Sequence, residues 1–234
     1  MDIDSRIELD GAKSGSGGTK LDLNKNLDLN RSVSTTRLDA FWRVTPKHKI
    51  DFSWYEINQN GSASLTNTIN ILGFSIPVGA SLQSEIDMET FKFNYTYNFF
   101  QAENYEFGPS IGVHLLDINT RFQPSTFVGP VSRGTTLSDG ITLPAPVIGL
   151  RGAYAFTDNL LIRGSFDYTN LEIDTWDAEL YDVLVALEYN IFEHFGVGVG
   201  YNYINIDVKN NTDQDQLKIN QEFNGALVFI KGAF

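Results

Sequence analysis

The sequence predicts an all-β chain, folded as a closed antiparallel up-and-down transmembrane β-barrel of about ten strands, with eight as the alternative count. Three observations carry that expectation. From Ser34 onward apolar side chains recur at every second position; the connections alternate between short turns and long loops; and the charges fall on the face opposite the aromatic rows. At 234 residues a barrel is routinely one domain, and no shift of composition divides the chain, so residues 1-234 are expected to form a single barrel domain.

The expected strands lie near 2–9, 34–44, 49–58, 84–100, 105–119, 143–156, 160–172, 177–192, 196–208 and 218–234. A period of two is the mark of a strand and not of a helix. Leu38, Ala40, Trp42 and Val44 alternate with Asp39, Phe41 and Arg43, and Ile50, Phe52 and Trp54 alternate with Asp51, Ser53 and Tyr55. In the most regular stretch, Phe91, Phe93, Tyr95, Tyr97 and Phe99 are interleaved with Lys92, Asn94, Thr96 and Asn98. The same alternation sets Tyr105, Phe107, Ile111 and Val113 against Glu106, Ser110 and His114, and Leu160, Ile162, Phe166 and Tyr168 against Arg163, Ser165 and Asp167. Further along, Tyr181 to Tyr189 opposes Asp182 and Glu188, and Val197, Val199 and Tyr201 oppose Gly196, Gly198 and Gly200, small residues that leave room for large side chains across the interior.

Between the strands, Thr45 to His48, Gln101 to Asn104, Thr157 to Asn159 and the Glu193-His194 pair are short and rich in turn formers. Long loops are expected at about 11-31, 59-81 and 119-141, with lesser ones near 173–177 and 209–216. Long loops on one rim and short turns on the other is the layout of membrane barrels, and it puts both termini on the periplasmic side.

Alternation alone also fits a soluble barrel, which turns its apolar face inward. Here that would leave a rim of exposed Phe, Tyr and Trp, which water does not tolerate in quantity. In hydrocarbon the opposite polarity is natural, and a narrow barrel is then filled by its own polar side chains. Asp39, Arg43, Asp51, Arg151, Arg163, Asp167, Asp182, Glu188 and Lys231 are accordingly expected to form an interior network of ion pairs. Trp42, Phe99, Tyr105, Phe107, Tyr154, Phe156, Phe195 and Phe234 sit near the short turns as one interfacial girdle, and Tyr168, Tyr181, Tyr201 and Tyr203 contribute to a second.

Several chemistries are disfavoured. A net charge of −12 without a basic cluster argues against nucleic acid, and the absence of Cys removes disulfides and thiolate metal sites. The alternating Leu21 to Asn30 run and the Asn210 to Gln216 run lack the spacing of a calcium loop and read as solvated segments, so no metal and no cofactor is expected. No stretch has the roughly 20 apolar residues of a membrane-crossing helix. The Met1-Asp2-Ile3-Asp4 start lacks the basic and apolar regions of a signal peptide, so an exported protein would be represented here by its mature part with an added Met.

The final stretch, Phe223 to Phe234, alternates and ends on an aromatic residue. It resembles the C-terminal signal of bacterial outer-membrane β-barrels, with Ala226, Val228 and Ile230 as lipid-facing positions, Phe234 as the closing ring, and Gly232 standing where the family has a large apolar residue. Over most of its length the chain resembles small outer-membrane barrels of proteobacteria whose role is often unassigned. The resemblance implies residence in the outer membrane, insertion by the outer-membrane assembly machinery through Val228, Ile230 and Phe234, contact with the lipid bilayer and lipopolysaccharide, and a monomeric state.

For function, the first expectation is a barrel without enzymatic activity, either structural or a narrow passage for small solutes, with binding in its outer loops. The alternatives are an outer-membrane enzyme acting on lipid A or peptides, and a soluble barrel binding a small ligand. Catalysis would fall to His114, since His48 and His194 are in short turns, but its register faces the interior beside Ser110, where a hydrogen-bonded structural role is expected. No phosphate loop, nucleophile elbow or paired-His spacing is present.

Overall fold

The computed structural model describes residues 1–11, 19–22, 27–71, 74–126, 136–173, 176–212 and 215–233. Its strands are β1 (Asp2–Gly11), β2 (Thr19–Asp22), β3 (Arg37–Thr45), β4 (His48–Ser64), β5 (Ile69–Ile71), β6 (Phe74–Ile76), β7 (Ser81–Tyr97), β8 (Phe100–Gln101), β9 (Tyr105–Pro124), β10 (Leu137–Ala155), β11 (Leu160–Ile173), β12 (Trp176–Phe192), β13 (Phe195–Thr212) and β14 (Asp215–Gly232). Every pairing is antiparallel, and the main sheet runs β2-β1-β14-β13-β12-β11-β10-β9-β7-β4-β3, with β8 hydrogen-bonded to β9 and β5-β6 a separate hairpin.

Three expectations are corrected. The main sheet has 12 strands rather than ten, because the short β2 and β8 add to the ten long ones. These are segments of two to four residues, too short for alternation to reveal. The sheet is also not closed: among the described residues no ladder joins β3 to β14 or β1. A few backbone bonds near the chain start bridge the seam, with Ile3 N donating to Arg31 O at 2.7 Å, Val33 N to Met1 O at 2.9 Å, and Asn30 N to Asn60 O at 2.9 Å. The long loops are shorter than expected as well, since β4 runs on to Ser64, β9 to Pro124 and β10 starts at Leu137. Phe234 and most of residues 11–26 lie outside the described residues.

The sheet nonetheless rolls until opposite walls touch. Lys92 of β7 meets Asp182 of β12, and Arg37 Nη1 of β3 donates to Asn202 Oδ1 of β13 at 2.7 Å. Toward the short-turn end the outer face is apolar and exposed. Phe93, Ile111, Ile148, Val185, Val199, Val228 and Ile230 all point outward, Val228 at 87% exposure. The inner face at that level is polar, with Lys92, Asn94, Thr96, Ser110, Arg151, Asp167, Glu188 and Asn202 buried.

Toward the long-loop end the polarity reverses. Along β7, Phe91 and Phe93 are exposed while Lys92 is buried, yet beyond Thr90 the buried residues are Met88, Ile86, Ser84 and Leu82, and Asp87, Glu85 and Gln83 take the outer positions. Along β13, exposed Val197, Val199 and Tyr201 give way to buried Ile204, Ile206 and Val208. The strand does not turn over; its sequence changes phase. Side chains from β1, β4, β7, β9, β10, β12, β13 and β14, among them Ile3, Tyr55, Ile57, Met88, Leu116, Val147, Leu180, Ile204 and Phe223, pack into one apolar cluster across the interior. A second cluster, including Leu27, Leu29, Leu65, Ile76, Leu82 and Phe122, lies beyond it.

Glycine makes room where the interior is tightest. A Cβ added at Gly198 would lie 2.2 Å from the Phe229 ring, which folds across from its partner position on β14. Gly198→Val is therefore expected to displace that ring and cost about 1–3 kcal/mol of stability, readable as a lower denaturant midpoint at unchanged slope.

Candidate functional site

The rolled sheet concentrates its chemistry inside, between the short-turn end and the first apolar cluster. On β10 and β11, Arg151 forks onto Asp167, with Nη1 donating to Oδ1 and Nη2 to Oδ2, each at 2.8 Å, and both side chains are buried. Parallel N–H···O bonds of this kind fix both position and orientation. His114 of β9, also buried, brings Nε2 to 3.4 Å from Asp167 Oδ2 without hydrogen-bond geometry.

Asp167 is the cross-strand partner of Asp182, so two carboxylates face inward side by side. Like charges directly opposite repel. The fold answers by giving each its own cation: Asp182 receives Lys92 from the far wall, and Asn202 Nδ2 at 2.9 Å. Lys92 Nζ also stands 4.8 Å from the Tyr55 ring centroid, whose π face suits a cation. Arg37 completes this group through Asn202 and through Asp39, its Nε lying 2.9 Å from Asp39 Oδ1.

A third group joins Glu188 of β12 to Arg163 of β11 and to Lys231 Nζ of β14 at 2.9 Å, and Arg163 Nη2 reaches to 4.0 Å from Asp39. A fourth lies at the short turns, where Arg43 Nη2 is 2.7 Å from Glu106 Oε2 and Lys49 Nζ is 3.5 Å from Asp51 Oδ1. All nine charged residues singled out in the sequence thus sit in one of four groups, although Asp39 and Arg43 are on the exposed β3 beside the open seam. Sequence reasoning missed Lys92, Arg37, Glu106, Lys49 and the relay through Asn202. The signal for Lys92 was present, since it lies between Phe91 and Phe93 on the inner face.

On the outer surface, Trp42, Phe99, Tyr105, Phe107, Tyr154, Phe156 and Phe195 are all exposed around the short-turn end. At the opposite edge of the apolar band, Trp54 Nε1 donates to Glu89 Oε1 at 2.7 Å, Tyr181 OH to Glu179 Oε1 at 2.7 Å, and Tyr201 OH to Asn224 Oδ1 at 3.2 Å. Their rings lie on the apolar side and their polar tips on the polar side. At the long-loop end a polar recess of about 510 Å³ is lined by Asp28, Asn60, Ser62, Glu85, Arg121 and Gln123, with Arg121 Nη1 bonded to Glu85 Oε2 at 2.6 Å. Among the described residues no group of His, Asp and Glu could hold a metal ion.

No family model and no curated protein matches this chain. Solved structures similar to it include the CymD monoaromatic hydrocarbon channel, at 13% identity and a TM-score of 0.37, covering 98% of this chain and 56% of that one. The transport unit of the autotransporter AIDA-I from Escherichia coli gives 7% identity and a TM-score of 0.37, covering 100% and 91%. OmpT, an outer membrane protein of Vibrio cholerae, in a form lacking loop L8, gives 10% identity and a TM-score of 0.26, covering 96% and 97%. These neighbours are outer-membrane β-barrel proteins, and the chain spans little more than half the length of the first.

Proposed function

We propose that the chain is an outer-membrane β-barrel protein without enzymatic activity, embedded by its apolar band, with its short turns and the end of its last strand on the periplasmic side and a bore closed by its own side chains. The observation that carries this reading is the pairing of an exposed band of Phe, Ile, Val, Tyr and Trp with a buried, ion-paired interior at the same level. Water would reverse that arrangement; lipid requires it. The zone beyond the band, polar outside and apolar within, is that of a water-bathed extension.

A structural role is favoured over solute passage because the bore is crossed twice, by Lys92–Asp182 and by the apolar cluster beyond. Surface binding falls to the polar recess at the long-loop end, which faces outward from the cell in this orientation, and lipopolysaccharide is the lipid met by the band there. The expected result in planar bilayers is no unitary conductance from the monomeric protein. Steady single-channel openings would overturn the closed bore. The enzyme alternative rests on His114, which is 1% exposed and enclosed beside Asp167. His114→Ala is expected to leave lipid A profiles and outer-membrane proteolysis unchanged, and a loss of either would restore that alternative.

A further inference from the structure

Beyond the change of phase, polar side chains stand on the outer face in two rows that run across the strands. The register sets Ser62 of β4 opposite Gln83 of β7, and Gln83 opposite Gln123 of β9. Two residues nearer the apolar band it sets Asn60 opposite Glu85, and Glu85 opposite Arg121. The bridge Leu29↔Gly61 adds a fourth segment beside β4, which brings Asp28 into the first row and Asn30 into the second. Between the rows nothing projects outward, since Leu29, Ser84 and Phe122 are buried on the inner face and Gly61 has no side chain. The recess of about 510 Å³ is therefore a groove with two polar walls and a floor at Gly61 and Ser84. Its volume falls within the roughly 300–1,000 Å³ of small-ligand sites. Crossing four strand positions, it is about 14 Å long.

The walls select a ligand by hydrogen bonding. In the row nearer the band, Asn30 Nδ2 donates to Asn60 Oδ1 at 2.8 Å and Arg121 Nη1 to Glu85 Oε2 at 2.6 Å. In the other row, Gln83 and Gln123 are exposed amides side by side, each with a carbonyl that accepts and an NH2 that donates. An anion is disfavoured, because Arg121 is the one cation among the described lining residues and is already bonded to Glu85, with Asp28 adding a second carboxylate. An added peptide strand is disfavoured too, because the backbone groups of the floor are engaged in the β4–β7 and β7–β9 ladders. Closely spaced hydroxyls, which donate and accept at once, match both walls.

We propose that this groove holds the saccharide chain of a neighbouring lipopolysaccharide molecule. Glu85 and Arg121 lie six residues beyond Phe91 and Leu115, the last exposed apolar positions of β7 and β9 on the outer face. At about 3.3 Å per residue and a tilt of about 45°, that is roughly 14 Å above the apolar band. The groove opens sideways at this height, toward whatever stands beside the protein in the membrane surface. No aromatic ring lines it, so recognition rests on hydrogen bonds alone and is weak, which suits a ligand held next to the protein by its own lipid anchor. This deepens the reading of the recess given above and rests on its orientation, with the long-loop end outside the cell.

The probe is lipid-free oligosaccharide released from lipopolysaccharide by mild acid. Saturation-transfer NMR with the detergent-solubilised protein is expected to show transfer to its sugar protons. Gln83→Ala/Gln123→Ala strips one wall at exposed positions and is expected to weaken binding about tenfold, through two lost hydrogen bonds. Thr142→Ala, on the outer face of β10 away from the groove, is expected to change nothing. Inorganic phosphate is expected not to compete. Absence of transfer, equal transfer in the double alanine variant, or displacement by phosphate overturns the proposal. Orientation is read separately: the chain has no cysteine, so Ser64→Cys at the exposed end of β4 is expected to react alone with a membrane-impermeant maleimide on intact cells. Labelling without transfer would remove the site and spare the orientation. Absence of labelling would remove the orientation, and lipopolysaccharide as the source of the sugar with it.

Discussion

Lys92→Met is expected to destabilise the folded protein by about 3–5 kcal/mol, the cost of leaving a buried charge without its partner. Lys92 and Asp182 are both nearly inaccessible, so solvent screens little of the loss. The side on which the pair is broken matters. Removing Lys92 leaves Asp182 beside Asp167, two carboxylates on directly opposed positions of β11 and β12, with Arg151 already committed to Asp167. Removing the carboxylate instead, as in Asp182→Leu, strands an ammonium that still faces the Tyr55 ring and leaves Asp167 with one negative neighbour fewer. Lys92→Met is thus the worse single change. The double variant Lys92→Met/Asp182→Leu is expected to recover most of the loss, since apolar groups of similar volume replace a buried pair at little cost. Urea unfolding in lipid vesicles, followed by the fluorescence of the three Trp residues, gives the three values. Additive losses in the double variant would show that the two side chains are not coupled across the interior.

The long strands were legible because alternation persists over most of their length. Ten long segments were expected and ten are present, with ends displaced by up to six residues. Closure was not legible, because alternation marks the strands and not which edges meet. Nothing in Met1-Asp2-Ile3-Asp4 says that Asp2 pairs as high as Asn224. The charged residues on the inner face were legible one by one, since each has an apolar neighbour on both sides or, for Arg151, Arg163 and Lys231, an apolar residue on one side and glycine on the other. Their partners were not, because Lys92 and Asp182 are 90 positions apart and meet only through the curvature of the sheet.

The change of phase was present in the sequence and needs a finer reading than strand or loop. In β13 the apolar positions are odd-numbered through Tyr203 and even-numbered from Ile204, with Asn205 and Asp207 taking the outer face. In β7 the same change falls at Thr90-Phe91. Aligned across the sheet, such positions mark where the outer face changes from apolar to polar side chains. The residues beyond them in β4, β9 and β10 carry polar outer positions, which is why their composition reads as loop.

That boundary gives the sharpest test of where the protein resides. Val199 is 54% exposed on the outer face, between Leu187 of β12 and Val228 of β14, and four positions from the short-turn end of β13. Gln83 is exposed on the outer face of β7 beyond the change of phase, between Ser62 and Gln123. In water both positions accept Arg at little cost, because a surface substitution away from special features changes stability by only about 0.5 kcal/mol. In a bilayer they differ. Val199→Arg places a guanidinium against hydrocarbon near the middle of the band and is expected to cost about 2–4 kcal/mol, whereas Gln83→Arg is expected to fall within about 1 kcal/mol of the parent. Unfolding both variants from lipid vesicles measures the difference directly, and repeating the titration in vesicles with shorter acyl chains should shrink the Val199→Arg penalty as the charge finds headgroups within reach. Equal and small effects at the two positions would mean that the Val199 face meets water, and the outer-membrane assignment would fall with it.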